Sequence, residues 1–545
     1  MSIQIDRRAL LITAGLGLGG LILPGGRLAA QALIGLQGFT HNVASGEPGP
    51  DSVLLWTRFV PPSRGPVKVL VEVSDTAEFV KIVGGGQMVT GPWRDYTAKI
   101  TVDGLSPGKV WFYRFTGPDG SHSPIGRTKT LPVGKVSKFN IAVFSCSNMG
   151  FGYFNAYAHA AARGDIDLAL HLGDYFYEYG RGGYDNGVAD ARTLMIEPSG
   201  ELLDLADYRL RYAAYRSDPD LQAIHQNVAM ITSTDDHESA NDSWEGGAQN
   251  HQPDEGDWTN RKSAAMQVYR EWQPISELPW KSYEIGDLAT YFRTDTRTIA
   301  RSRPSAWQEI QRGNDVPAAL KAFRDGAWQD PAATMLGTEQ ESWLSHAFAA
   351  HARAKKTWAI LGVGTNIGYN STPEVALDWL SPTADPRSKS YISTGIAAAR
   401  AGLPYNLDNW GGYPQAKARL LHSAQTYGLN LVALTGDSHN AWAFDLQNDG
   451  RAAGIEFGGH GITSPGLEQA FSTTDPALVS KALVESSKEL RWMDSSNRGY
   501  MVTTLTPQAA TNEWVFMDTV KARSRGTKPS HKAQVRPGRN TLEQL

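Results

Sequence analysis

Four apolar runs, each breaking off at residues able to bind a metal, constrain this chain more than any other feature. Leu168 to Leu172 is apolar around His171, then turns through Gly173 into Asp174, with Tyr177 and Glu178 close behind. Val228 to Thr234 ends in Asp235, Asp236, His237 and Glu238. Leu429 to Thr435 ends in Gly436, Asp437 and His439, while Phe139 to Phe144 delivers Ser145 and Cys146, the chain's single cysteine. Runs this short and apolar read as buried strands, each handing the chain to a loop that carries chemistry. Strand ends that offer oxygen, imidazole and sulfur donors predict a metal site at the edge of an α/β sheet.

The remainder of the chain can be divided around that sheet. At 545 residues it exceeds what one core holds. A net charge of −4 argues against general nucleic-acid binding. Arg7 and Arg8 precede an apolar stretch to Leu23, shorter than the roughly 20 residues that span a bilayer. Ala30-Gln31-Ala32 then offers a small-x-small cleavage site. Residues 1–32 therefore read as a twin-arginine (Tat) signal peptide, with an uncleaved membrane anchor as the alternative. They imply the Tat machinery as a partner and a periplasmic or secreted destination. A lone cysteine in an oxidising compartment has to be buried or ligated.

Residues 38–132 hold short β-branched and aromatic runs such as Val67 to Val73 and Val110 to Phe115, separated by Pro/Gly turns. This spacing predicts a small Ig- or fibronectin-like sandwich that positions rather than catalyses. Residues 136–520 alternate strands with helical stretches and then run into consecutive strands, predicting a mixed α/β domain. Residues 521–545 carry seven Lys or Arg against one acid, with scattered Pro and Gly. They read as a solvated, partly disordered tail, with contact to a membrane surface as the lesser reading.

Hydrolysis of a phosphate ester needs charge neutralised on the phosphoryl oxygens and a hydroxide near neutral pH, which two metals ~3.5–4 Å apart supply together. A carboxylate between them is the natural bridge, and Asp174 stands between two sets of candidate ligands. Each residue also has a structural reading. Cys146 suits a small buried apolar position, Tyr177 a packing aromatic, and His237 a residue that orients neighbouring carboxylates. Asp235 could cap its loop, and His171 reads as a core histidine. The segment from Asp235 to Asp257 has eight acids and no Lys or Arg, and reads mostly as a solvated loop. Asn241, Asp242 and Trp244 are its members best placed to reach the site. Arg297 suits either a phosphate or a structural ion pair.

At these residues the sequence resembles the calcineurin-like metallophosphoesterases. Gly173-Asp174 with Tyr177 matches their G-D-x-x-D/Y in its tyrosine form, which purple acid phosphatases also use. Asp236 stands in place of the asparagine of G-N-H-E, Asp437 in place of the first histidine of G-H-x-H, and Phe144-Ser145-Cys146 where D-x-H would be. Those substitutions together resemble the PhoD-type alkaline phosphatases, marked by F-x-S-C, G-D-Y-x-Y-E, D-D-H-E and G-D-x-H. Val43 to Pro48 and Val53 to Arg58 are similar to the opening of that family's β-module. Trp410 to Pro414 resembles its W-D-G-Y-P with Gly411 replacing the aspartate, and Gly458 to Ser464 fits a further turn loosely; neither receives a role.

The resemblance implies a two-sheet metallophosphoesterase sandwich flanked by helices, preceded by the small all-β domain. It implies Fe(III) on Cys146, Asp174, Tyr177 and Asp437, and Ca2+ sharing Asp174 with Asp236 and His439; zinc or manganese are the other metals such donors accept. Asp174, His237 and His439 are the expected catalytic residues, with a metal-bound hydroxide attacking phosphorus in line and an imidazole assisting the leaving oxygen. The expected function is an exported, metal-dependent phosphatase acting on phosphate esters. A phosphodiesterase or phospholipase D-type hydrolase on the same site is the nearest alternative. A Tat-exported iron oxidoreductase and a secreted binding protein are the remaining ones.

Overall fold

The computed structural model describes residues 35–184, 190–311, 315–381, 383, 386–404 and 406–545. The expected Tat signal, 1–32, lies outside the described residues.

The chain opens with an all-β module. Its strands are β1 (Gly38–Gly46), β2 (Ser52–Val60), β3 (Val67–Ser74), β4 (Ile82–Thr90), β5 (Thr97–Asp103), β6 (Val110–Thr116) and β7 (Gly126–Lys129). They form two antiparallel sheets, ordered β1-β2-β5 and β4-β3-β6-β7. Alternation decides the buried face: Val67, Val69, Val71 and Val73 of β3 point inward, while Lys68 and Leu70 point out. The inward set packs with Val43, Leu55, Trp111 and Phe115 into one core.

The larger domain is built on two more sheets. Its strands are β8 (Phe139–Phe144), β9 (Leu168–His171), β10 (Met230–Thr232), β11 (Lys281–Ile285), β12 (Ala289–Arg293), β13 (Trp358–Val363) and β14 (Leu431–Thr435). They continue as β15 (Ala441–Asn448), β16 (Arg451–Gly458), β17 (Leu490–Asp494), β18 (Gly499–Leu505), β19 (Ala510–Phe516), β20 (His531–Val535) and β21 (Glu543–Gln544). The sheet orders are β10-β9-β8-β18-β19-β20-β21 and β11-β12-β13-β14-β16-β15-β17. Both are mixed: β8, β9 and β10 run parallel, as do β12, β13, β14 and β16, and the flanking strands run antiparallel.

The sheets pack face to face through Ile141, Leu170, Ile360, Val432, Phe457 and Trp514. Helices α1 (Asn155–Ala162), α2 (Leu205–Arg216), α3 (Pro219–Asn227) and α4 (Trp258–Trp272) cover the first sheet, where Tyr157, Tyr212, Ile224 and Trp272 meet Ala142, Phe144 and Met230. Helices α5 (Gly337–Arg353), α6 (Pro386–Arg400), α7 (Pro414–Thr426) and α8 (Pro476–Ser486) cover the second, where Phe348, Ile396, Leu421 and Leu483 meet Phe292, Leu361 and Ala433. Strands covered on both faces have no polar side, which is why the parallel ones read as unbroken apolar runs. Among the described residues no helix is long and apolar enough to cross a membrane.

The basic C-terminal segment corrects the sequence reading. Instead of a disordered tail after residue 520, β20 pairs with β19 and β21 pairs with β20. Ala533 and Val535 enter the core between the sheets. Lys532 stays exposed, as suits strands near a sheet edge.

Glu47, just past β1, fastens the β-module to the larger domain. It accepts from the Ser276 backbone at 3.0 Å, Lys281 Nζ at 2.8 Å and Arg293 Nη1 at 2.8 Å. Nearby, Trp56 Nε1 donates to the Glu271 carbonyl at 2.8 Å, with the Arg216 guanidinium 4.4 Å from its ring centre.

Candidate metal centre

The loops that follow β8, β9, β10, β12 and β14 converge at one end of the two sheets. Backbone bonds lace them together: the Cys146 N–H donates to the Gly173 carbonyl at 3.2 Å and the Ser147 N–H to the Asp174 carbonyl at 2.8 Å. Glu238 accepts from the backbone N–H groups of Tyr175 at 2.7 Å and Asp235 at 2.8 Å, binding the second loop to the third. Gly173 is required there, since a Cβ would sit 2.4 Å from the Asp235 nitrogen. Cys146, Asp174, Asp437 and His439 all have left-handed backbones, with φ between 53° and 63°. Non-glycine residues adopt that conformation at a cost of order 1–3 kcal/mol each, and such strain gathers where side chains must be aimed.

The side chains meet in overlapping groups whose donor atoms all lie within 4.8 Å of one another. One is Cys146, Asp174 and His439; another is Asp174, Asp236 and His237; a third is Asp174, Asp235, Asp236 and Asp437. Asp174 belongs to all three, and its Oδ1 is buried without a hydrogen-bond partner. Tyr177 joins the first group, its hydroxyl 3.0 Å from His439 Nε2 and 3.3 Å from Asp174 Oδ2. A fourth group, Asp236, Asp242 and Asp408, continues the acidic surface from the third.

Neighbouring residues determine which atoms face inward. His439 Nδ1 lies 2.9 Å from the Pro465 carbonyl, which can only accept, so Nε2 presents its lone pair to the Cys146 group. His237 Nδ1 lies 2.6 Å from Glu178 Oε2, and Glu178 is itself held by the Asn241 N–H at 2.7 Å and Asn250 Nδ2 at 2.9 Å. Ser464 Oγ bridges the Tyr177 hydroxyl at 2.7 Å and the Cys146 carbonyl at 2.9 Å. Arg297 is fully buried and pairs with Asp235 at 2.6 Å and Asp408 at 2.5 Å, lying 3.9 Å from both Asp236 and Asp437.

So many buried carboxylates around so little positive charge cannot all ionise unaided. Burial first, then the neighbouring acids, drives Asp174 and Asp437 well above the usual carboxylate range. The same causes bring Asp242 to about 8. Burial lifts Asp235 to about 6 despite Arg297. Asp236 and Asp408 are exceptions: against burial, Arg297 with His237 holds Asp236, and Arg297 with Arg301 holds Asp408, below the usual range. Burial and Asp174 push the Cys146 thiol and the Tyr177 phenol upward. Burial and Arg498 lower His439 to about 3, whereas Asp236, Glu178 and Asp174 outweigh burial at His237 and raise it. A bound cation reverses this balance for every acid it touches, and the donor set fits one.

The model for PhoD-like phosphatases matches residues 141–514, and the model for that family's N-terminal domain matches residues 27–132. The chain belongs to the PhoD-like phosphatases. It is 32% identical over 498 residues to alkaline phosphatase D of Bacillus subtilis (strain 168), covering 86% of this chain and 76% of that protein. A solved structure of PhoD is similar with a TM-score of 0.76 at 27% identity, covering 94% of this chain and 92% of that one. This PhoD-like chain is accordingly a phosphatase, an enzyme for phosphate esters.

Within this PhoD-like site, Cys146, Asp174, Tyr177, Asp236, His237, Asp437 and His439 all come together. Their division differs from the one the resemblance implied. His439 lies with Cys146 and Tyr177, and Asp437 with Asp235 and Asp236, so the two exchange sides. Both residues are left-handed and flank Ser438. Asp242 reaches the acidic surface, whereas Trp244 pairs its backbone with Gly247 instead. Arg297 is an ion pair, and His171 is buried against Tyr157 outside the donor groups. Asp408 and Ser464 escape the sequence reading: Ser464 lies in the turn after β16 that received no role, and Asp408 lies in a loop three residues before Gly411, where the family's aspartate is missing.

Proposed function

We propose that this phosphatase is metal-dependent, that its centre is built around Asp174, and that the protein is exported. The observation that carries the reading is Asp174 itself: a buried carboxylate with an unpartnered oxygen, shared by three donor groups. Thiolate and phenolate suit Fe(III), so Cys146, Asp174, Tyr177 and His439 would hold the iron. Carboxylates suit Ca2+, so Asp236 and Asp437 would hold calcium and share Asp174 with the iron. Zinc or manganese would be accepted by the same donors. Cations there supply charge neutralisation at phosphoryl oxygens and acidify a water.

The protein's own groups supply the rest. Arg297 keeps Asp235 and Asp236 ionised. Glu178 holds the Nδ1 proton of His237 and leaves Nε2 turned toward Asp174 and Asp236, where it can give a proton to the departing ester oxygen. His439, with Nδ1 committed to Pro465, serves as a donor atom through Nε2. Arg7, Arg8 and the cleavage motif at Ala30 to Ala32 support Tat export to the periplasm or beyond.

The test is metal analysis of natively produced protein together with Asp174→Asn. Iron and calcium are expected in the wild type, with a visible phenolate-to-iron absorption band. The variant is expected to lose hydrolysis of a phosphate monoester by at least about a hundredfold, since even residues one shell further out cost 10–100-fold. Near-normal turnover by a variant that still carries its metals would overturn the scheme.

A further inference from the structure

Beside Asp437 and Ser438 a cavity of about 300 Å³ leads away from the acidic groups into the helical layer over the second sheet. That volume is at the lower end for small-molecule pockets. Its inner wall is apolar, made by Ala376, Trp379, Ile392, Trp442, Phe471 and Leu483, all buried. Its polar lining is neutral: asparagines at 366, 370, 406, 409 and 440 contribute amides. Asp437 is the only ionisable residue lining it among the described residues. Buried Glu456 shapes one wall, accepting from Asn366 Nδ2 at 2.7 Å and the Gly368 N–H at 2.6 Å. Asn370 follows on that wall, and its buried Oδ1 has no partner.

We propose that this cavity takes the organic group of the phosphate ester and selects an uncharged alcohol with an apolar body of about one ring. The inference rests on the metal-centre reading above, since the cavity adjoins the centre through Asp437, Ser438 and Pro465, whose carbonyl faces His439 Nδ1. A second phosphate or a carboxylate on the substrate would enter a neutral wall with no cation to receive it and with Asp437 already at the mouth, which is unfavourable. An apolar ring would replace water against Trp379, Ile392 and Phe471. The unpartnered Asn370 oxygen adds a preference for a hydroxyl or N–H donor on that ring.

The experiment compares benzyl phosphate, ethyl phosphate and phosphoglycolate on the metal-loaded enzyme and on Ile392→Trp and Leu483→Trp, which fill the cavity from two sides. The alcohols of the first two esters are of similar acidity, so their ratio reads binding of the organic group. Wild type is expected to favour benzyl over ethyl phosphate at least about tenfold in kcat/KM, and ethyl phosphate over phosphoglycolate. Either filling variant should erase the benzyl preference while ethyl phosphate turnover and inhibition by inorganic phosphate stay within about threefold of wild type. An unchanged benzyl-to-ethyl ratio in a variant that still binds inorganic phosphate overturns the proposal. So does a wild type that hydrolyses phosphoglycolate as well as benzyl phosphate, a result that needs neither variant to fold. Failure of the metal-centre reading looks different: metal-stripped wild type would hydrolyse ethyl and benzyl phosphate as well as the loaded enzyme does, whatever their ratio.

Discussion

Glu178 touches the donor groups' side chains through His237, and that makes it a sharp probe of how the imidazole is used. With its carboxylate 2.6 Å from Nδ1, it fixes the ring's tautomer and raises its basicity. Glu178→Gln keeps the shape and removes the charge, so kcat is expected to fall about 10–100-fold with little change in KM. The limb of the pH–rate profile that reports His237 should move to lower pH, because a charge that favoured the protonated ring is gone. A variant with unaltered kcat and pH profile would reduce Glu178 to a brace for Asn241 and Asn250. At this scale the sequence was informative where a donor directly follows a buried strand, as at Asp174, Asp236 and Asp437. Asp408 was hidden because it reaches the site from a long loop, where nothing local marks the approach; Ser464, six residues past β16, lay in a turn whose likeness to the family carried no role. The exchange of Asp437 and His439 was equally hidden, since spacing along the chain does not say which donor group each side chain joins.

Elements were legible in proportion to how one-sided their burial is. Doubly covered β8, β9 and β14 stand out as apolar runs. The start of α2 was less visible: Asp204 caps it in a reciprocal box with Asp207, one turn before the apolar pattern begins at Tyr208. The two last strands were misread because little of the segment is apolar: Ala533 and Val535 turn inward and Leu542 packs beside them, while most of the rest is charged or polar. Yet His531 stacks on Trp492 with ring centres 3.8 Å apart and covers Trp514, so this segment seals the open side of the core. Truncation after Pro529 is therefore expected to lower unfolding free energy by about 3–5 kcal/mol, from uncovering apolar side chains worth about 1.5–3 kcal/mol each. Urea denaturation checks it; an unchanged midpoint would return the segment to the status of a tail.

For the whole molecule, the junction between β-module and larger domain includes one buried carboxylate that titrates, Glu47. Burial works against its charge, but Arg293 and Lys281 hold Glu47 at about 2, below the ordinary 4.5. A depressed folded-state value means the stabilisation is complete above about pH 4.5 and is lost as pH falls toward 2. Glu47→Gln should cost about 3–5 kcal/mol near neutrality, because it leaves Arg293 buried without its partner. The gap between wild-type and variant melting temperatures should then narrow as the medium is acidified through that window. A constant gap from pH 6 to pH 3 would show that Glu47 matters for its shape alone.

The pairing of β8 with β18 sets Val143 beside Met501, almost the whole length of the larger domain apart in sequence. The loop that carries Cys146 therefore belongs to a sheet whose middle is filled by a segment made long after it. On a ribosome the β-module can mature early, while the strands bearing the ligands wait, their apolar faces uncovered, for the C-terminal meander to arrive. Long-range pairing of that kind slows folding. It also ties construction of the centre to synthesis of β18: a nascent chain cut short before residue 499 lacks the strand that pairs with β8 in the first sheet.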